Sequence, residues 1–130
     1  MNTKQYTVID LFAGCGGLSL GLYQAGWNGI FAIEKNPNAF ETLDYNLIEG
    51  KQHFAWPQWL PIGPLNILEV NEKYKTQLRK LRGQVDLVAG GPPCQGFSVC
   101  LKNAGDPKDP RNSLFTEYVR IAKLYKPTVL

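Results

Sequence analysis

One cysteine in this sequence stands where a nucleophile would be displayed. Cys94 lies within Gly90-Gly91-Pro92-Pro93-Cys94-Gln95-Gly96-Phe97-Ser98, directly after the apolar segment Val85-Asp86-Leu87-Val88-Ala89. Prolines hold φ near −65° and donate no backbone N–H, while glycines absorb awkward geometry. A strand ending this way delivers the next side chain into a crevice on stiff backbone, which suits a thiol that acts as a nucleophile. A second cluster holds Gly14, Gly16 and Gly17, between the apolar Val8-Ile9-Asp10-Leu11-Phe12 and a helical pattern starting at Leu18. Bare glycines there let a ligand lie against the backbone, and the helix start offers N–H groups to a carboxylate or phosphate. The spacing is Gly-x-Gly-Gly, with Ser19 where a dinucleotide fold would want its third glycine or an alanine. That disfavours NAD or FAD. Glu34, at the tip of the second strand, is placed to accept hydrogen bonds from two ribose hydroxyls, which fits adenosine and disfavours a 2′-phosphate.

Apolar strands alternating with amphipathic helices would position these groups, as in a parallel α/β sheet. The first strand is expected over about 7–12 and the first helix over 17–25, with Leu18, Leu22 and Ala25 on one face and Gly26 as its stop. The second strand is expected over 29–33. Asn36 then caps a helix with Pro37 in its first turn and Ala39, Phe40, Leu43 and Leu47 on its buried face. Residues 51–64 lose the helical period; Trp56 and Trp59 are read as a loop whose aromatics cover a sheet edge. A short third strand is expected over 65–68. A helix marked by Val70, Tyr74, Leu78 and Leu81 follows, its basic residues forming a solvated face. The fourth strand is Val85–Ala89. A polar loop over 102–112 leads to a helix over 113–125, and Thr128-Val129-Leu130 starts a fifth strand. The expected strand order is 3-2-1-4-5.

The 130 residues fit one domain, long enough for a core. The longest apolar runs fall well short of the ~20 residues that cross a bilayer, and the first residues lead into no signal-peptide core. The chain reads as cytoplasmic. Three cysteines and a single histidine, His53, without a Cys-x-x-Cys spacing, give a zinc site almost no support. Cys15 reads as a small filler and Cys100 as a plain loop residue. A formal net charge of +3 is compatible with nucleic acid without arguing for it.

Taken together, the two glycine-rich runs resemble the cytosine-C5 DNA methyltransferases: the first resembles that family's S-adenosylmethionine loop, the second its catalytic Pro-Cys loop. The resemblance implies an α/β, doubly wound, mostly parallel sheet of the S-adenosylmethionine-dependent methyltransferase type, truncated after strand five. It implies that residues 1–130 are the N-terminal part of the catalytic domain, with the target-recognition domain absent. It implies S-adenosylmethionine as cofactor, held by Phe12, Ala13, Gly14, Gly16, Gly17, Leu18, Glu34, Asn66, Ile67, Pro93 and Leu114. Phe12 would lie near the adenine, Glu34 would hold the ribose, Asn66 and Ile67 would meet the adenine, and the Leu114 backbone would touch the cofactor. Asn66 stands where the family more often has aspartate, and Lys35 where it often has an aromatic that stacks on adenine. Cys94 would add to C6 of a cytosine flipped out of double-stranded DNA, making C5 nucleophilic toward the sulfonium methyl. Pro93 would lie between thiol and methyl. Gln95 and Ser98 would face the flipped nucleotide or its backbone; Lys102, Lys108 and Arg111 would reach phosphates.

The family's later Glu-Asn-Val segment, arginine motif and closing segment have no counterpart in these residues. The resemblance therefore covers nearly all of this chain and about the first third of a full enzyme, and the chain alone is expected to be inactive. A fragment, or one chain of a split bacterial enzyme working at the nucleoid with a second chain supplying the missing motifs, is the leading expectation. No metal and no membrane are expected. A related RNA branch acting on a tRNA cytosine, and a non-catalytic cofactor-binding half, stand as alternatives.

Overall fold

The computed structural model describes residues 3–92 and 112–130, the side chains of Asn112 and Ser113 excepted. Three parallel strands form its sheet: β1 (Thr7–Leu11), β2 (Asn28–Ile33) and β3 (Leu87–Ala89), in the order β2-β1-β3. Five α-helices accompany them among the described residues: α1 (Gly17–Gln24), α2 (Pro37–Leu43), α3 (Ile67–Lys73), α4 (Lys75–Lys80) and α5 (Asn112–Tyr125). Alternation along each strand divides its side chains between two faces. Ile9, Leu11, Phe31, Ile33 and Val88 pack with Ile67, Val70, Leu78, Ile121 and Tyr125 of α3, α4 and α5. Ala32 and Ala13 pack on the opposite face with Phe40, Leu43 and Leu47. Helices thus cover both sides of the sheet, as the doubly wound expectation required. None of the described helices is long and apolar enough to cross a membrane.

The register places the expected fourth strand beside the first: Val8 pairs with Leu87, Ile9 with Val88 and Asp10 with Ala89. Both strands therefore end at the same edge, where the two glycine runs begin. Asp86 reinforces this pairing by accepting from the Thr7 N–H and the Lys4 ammonium, both at 3.0 Å. The fifth strand is reduced to a parallel bridge between Val129 and Leu87.

Four expectations need correction. Residues 65–68 form no strand. Asn66 caps α3, its side-chain oxygen accepting from the Leu68 N–H at 3.0 Å, so a local cap overrides the apolar pattern. The outer edge of β2 is bonded instead at two separate points: the Ala55 N–H reaches Gly29 O and the Leu65 N–H reaches Glu34 O, both at 2.8 Å. Between those points Trp56 and Trp59 set their rings edge-on to Phe31, 6.4 and 6.2 Å between centroids. The helix expected through Val70–Leu81 is two helices, α3 and α4, broken at Tyr74 with φ −110° and ψ 24°. After α2 the chain widens into a π-helical segment, Asp44–Ile48, which keeps Leu47 buried. Finally, α1 does not bury the face through Leu18, Leu22 and Ala25: Leu18 is 50% exposed, and the buried residue of this helix is Ser19. A polar bond, described next, sets that rotation.

Candidate functional site

The first strand ends in a turn that only unusual backbone can make. Phe12 has φ +58°, left-handed for a bulky residue, and Gly14 and Gly16 follow at +58° and +93°. A non-glycine residue in that region is uncommon and occurs where the surroundings over-determine it. Two carboxylates do so here. Glu34, at the end of β2, accepts from the Gly14 N–H with Oε2 and from the Asn36 N–H with Oε1, both at 2.8 Å. One side chain thereby braces the β1–α1 turn and the β2–α2 turn together. Replacing Glu34 with alanine removes two charge-assisted bonds, and a loss of about 2 kcal/mol of stability is expected in urea unfolding. An unchanged midpoint would show that the turns hold without it.

The second carboxylate is Asp10, in the middle of β1 and 2% exposed. Its Oδ2 accepts from the Ser19 hydroxyl at 2.5 Å, and this bond ties α1 to the sheet. Its Oδ1 is buried with no partner among the described residues. Burial, reinforced by the charge of Glu34, holds the Asp10 carboxyl above its ordinary value, against the opposing effect of the Ser19 bond. The folded chain therefore keeps this proton more tightly than the unfolded chain. The resulting stability is present below the unfolded value of 3.8 and is lost as pH rises through the raised folded one. Asp10→Asn does not titrate, so its melting temperature relative to the parent is expected to climb from pH 4 to pH 8. A difference independent of pH would contradict this.

Beside the braced turns lies a pocket of about 220 Å³, lined by Phe12, Ile33, Glu34, Lys35, Leu65, Asn66, Ile67, Gly91 and Leu114. Five residues singled out from the sequence meet there from separate segments: Phe12, Glu34, Asn66, Ile67 and Leu114. The walls are mostly apolar, and Glu34, Asn66 and Lys35 supply the polar side chains. Ala13, Gly14, Gly16, Gly17 and Leu18 belong to the adjoining turn and do not line the pocket. Gly16 packs closely on Leu47, since a Cβ there would lie 2.8 Å from Leu47 Cδ1. Both oxygens of Glu34 already bind backbone N–H groups, so a ligand would share them through remaining lone pairs. Pro93, Cys94, Gln95, Ser98 and Arg111 lie outside the described residues, as do Cys100, Lys102 and Lys108. Sequence reasoning passed over Ile33, Leu65 and Gly91 as pocket residues, and over the Asp10–Ser19 pair. An aspartate inside an apolar strand was the available signal for that pair. Among the described residues no group of three His, Cys, Asp or Glu could hold a metal ion.

Residues 6–130 match the family profile described as C-5 cytosine-specific DNA methylase. The chain is 42% identical over 124 residues to the Type II methyltransferase M.DdeI of Desulfomicrobium norvegicum, covering 92% of this chain and 25% of that protein. It is 38% identical over 130 residues to the Type II methyltransferase M.Eco47II of Escherichia coli, covering 100% of this chain and 27% of that protein. Among solved structures, a DNA modification methyltransferase encoded within an E. coli prophage superimposes with a TM-score of 0.58 at 32% identity. That match covers 95% of this chain and 30% of the other. The chain thus spans between a quarter and a third of the length of these proteins.

Proposed function

The chain belongs to the C-5 cytosine-specific DNA methylase family, and from that premise we propose that it carries the methyl-donor pocket and the nucleophile of an enzyme that methylates cytosine C5 in DNA. The reading includes a Type II restriction–modification role in a bacterial cytoplasm, supported by relatives that are Type II methyltransferases. One observation carries it: the pocket that gathers Phe12, Glu34, Asn66, Ile67 and Leu114 is also lined by Gly91, three residues before Cys94. Covalent geometry allows at most ~11 Å of extended chain between Gly91 and Cys94.

The pocket's residues fit S-adenosylmethionine. Phe12, Ile67 and Leu114 offer apolar surface to the adenine, and Glu34 offers acceptor lone pairs to the ribose. The bound cofactor supplies an electrophilic methyl on a sulfonium sulfur. In this reading the Cys94 thiolate adds to C6 of a flipped cytosine, which leaves C5 electron-rich enough to take that methyl. A base then removes the C5 proton, the C6–sulfur bond breaks and the thiolate is regenerated. Pro93 separates thiol from methyl. Gln95, Ser98 and Arg111 contact the DNA. The grip on the base and the reading of sequence fall to parts of the family's enzymes that this stretch does not span, in the same polypeptide or in a second chain.

The test is transfer of a tritiated methyl group from S-adenosylmethionine to DNA. The 130-residue chain alone is expected to stay at background, and the chain joined with the remainder of a catalytic domain is expected to label cytosine C5. Label on tRNA but not on DNA would overturn the substrate assignment.

A further inference from the structure

We propose that the slot between α4 and α5 binds phosphate groups, as a site separate from the cofactor pocket. α3 packs directly on α5, and α4, beyond the break at Tyr74, packs on it less closely. A cavity of about 260 Å³ remains between α4 and α5. Leu78 and Ile121, 1% and 2% exposed, form its apolar floor. Two rows of cations line it: Lys75 and Arg79, one turn apart on α4, and Arg120 and Lys123, one turn apart on α5. No carboxylate shares the lining. Glu117, one turn before Arg120, pairs with it at 3.6 Å and also accepts from Asn71 Nδ2 at 2.6 Å, which offsets part of one charge. The charged ends of Lys75, Arg79 and Lys123 make no ion pair or hydrogen bond among the described residues.

A single basic row on a helix is ordinarily a solvated face. Two rows that share one cavity repel each other, and an apolar floor screens them less than open water does. An anion lying between the rows turns that repulsion into attraction. Phosphate suits the lining better than one carboxylate, whose single charge would leave most of the four cations uncompensated. Arg79 and Arg120 offer planar forks that match phosphate oxygens in pairs, and Lys75 and Lys123 add compact point charges. The phosphates can come from a DNA backbone or from a free phosphate compound. The site stands away from the chemistry: Leu114 lines the cofactor pocket, and the helical rise puts roughly 13 Å of α5 between it and Lys123. A backbone contact there would add affinity without reading sequence.

Two measurements on the chain test this: fluorescence anisotropy of a labelled DNA duplex over about 50 to 200 mM salt, and thermal unfolding with pyrophosphate. The double variant Lys75→Gln/Lys123→Gln is expected to bind the duplex at least about fivefold more weakly at the lower salt, alike for unrelated sequences. Its slope of log affinity against log salt is expected to be shallower by roughly 2. Pyrophosphate is expected to raise the melting temperature of the parent and not that of this variant. Lys73→Gln/Lys80→Gln removes the same charge from exposed residues outside the lining, and is expected to stay within about twofold of the parent and to keep the pyrophosphate shift. Duplex loss without a pyrophosphate shift assigns the phosphates to the DNA backbone; the shift without duplex loss assigns them to a free compound. Equal behaviour of the two double variants in both measurements would reduce the effect to diffuse charge and overturn the site. Stabilisation of the parent by poly-glutamate, with no response to pyrophosphate or duplex, would overturn the phosphate assignment. None of the four substituted residues lines the cofactor pocket, so failure here leaves the cofactor reading intact.

Discussion

Cys94→Ser is expected to lower methyl transfer to DNA by more than about a thousandfold in the completed enzyme, while S-adenosylhomocysteine affinity stays within about twofold of the parent. A serine hydroxyl is almost never ionised at neutral pH and has no base assigned to it here, so addition to C6 fails even though the side chain is nearly isosteric. The pocket is built from residues 12, 33–35, 65–67, 91 and 114, none of which changes. Binding and chemistry therefore separate: one substitution removes the second and spares the first. Initial rates of tritium transfer, paired with calorimetry, read both quantities. A variant that keeps a tenth of the parent rate would show that position 94 is not the nucleophile.

Gly90→Ala is expected to cost at least about 3 kcal/mol of folding free energy and to abolish activity with it. Gly90 closes β3 at φ +128°, and a Cβ built there would lie 1.8 Å from the Leu11 carbonyl oxygen and 2.7 Å from its carbon. Those atoms are backbone at the end of β1, so no rotamer change relieves the overlap. Relief requires the ends of β1 and β3 to part, where Asp10 pairs with Ala89. The neighbouring position is the control. A Cβ on Gly91 meets nothing within 4 Å, so Gly91→Ala is expected to unfold within about 0.5 kcal/mol of the parent. Urea denaturation of both variants decides; a Gly90→Ala midpoint equal to that of Gly91→Ala would remove the steric argument.

Phe12 and Glu34 were legible as pocket residues because they follow strand ends, and strand ends are marked by turn chemistry. Gly14 after Phe12, Asn36-Pro37 after Glu34, and Gly90-Gly91 after Ala89 each announce where a strand stops. Residues at those stops share one edge of a parallel sheet. Less legible was whatever a single polar bond decides. Leu65-Asn66-Ile67-Leu68 has the composition of a strand, yet one amide oxygen on the Leu68 N–H turns it into a helix start. The apolar residues of α1 surround it so evenly that periodicity picked the wrong inner face, Leu18, Leu22 and Ala25. The bond from Ser19 to Asp10 chooses that face and leaves Leu18 outward. The edge of β2 escaped for a related reason. Its partners, Ala55 and Leu65, are ten positions apart and use backbone atoms alone, which carry no signature in the sequence.

In the proposed reaction the thiol of Cys94 and the pocket of Phe12, Glu34 and Asn66 act on one cytosine. DNA bearing 5-fluorocytosine tests it most directly, because fluorine at C5 takes the place of the proton whose removal would release the enzyme. Incubated with the completed enzyme and S-adenosylmethionine, such DNA should form a stable adduct whose attached peptide carries the modification at Cys94. The adduct should weaken when Glu34 is replaced. An adduct on Cys15, or none under conditions where ordinary cytosine is methylated, would show that Cys94 is not the nucleophile.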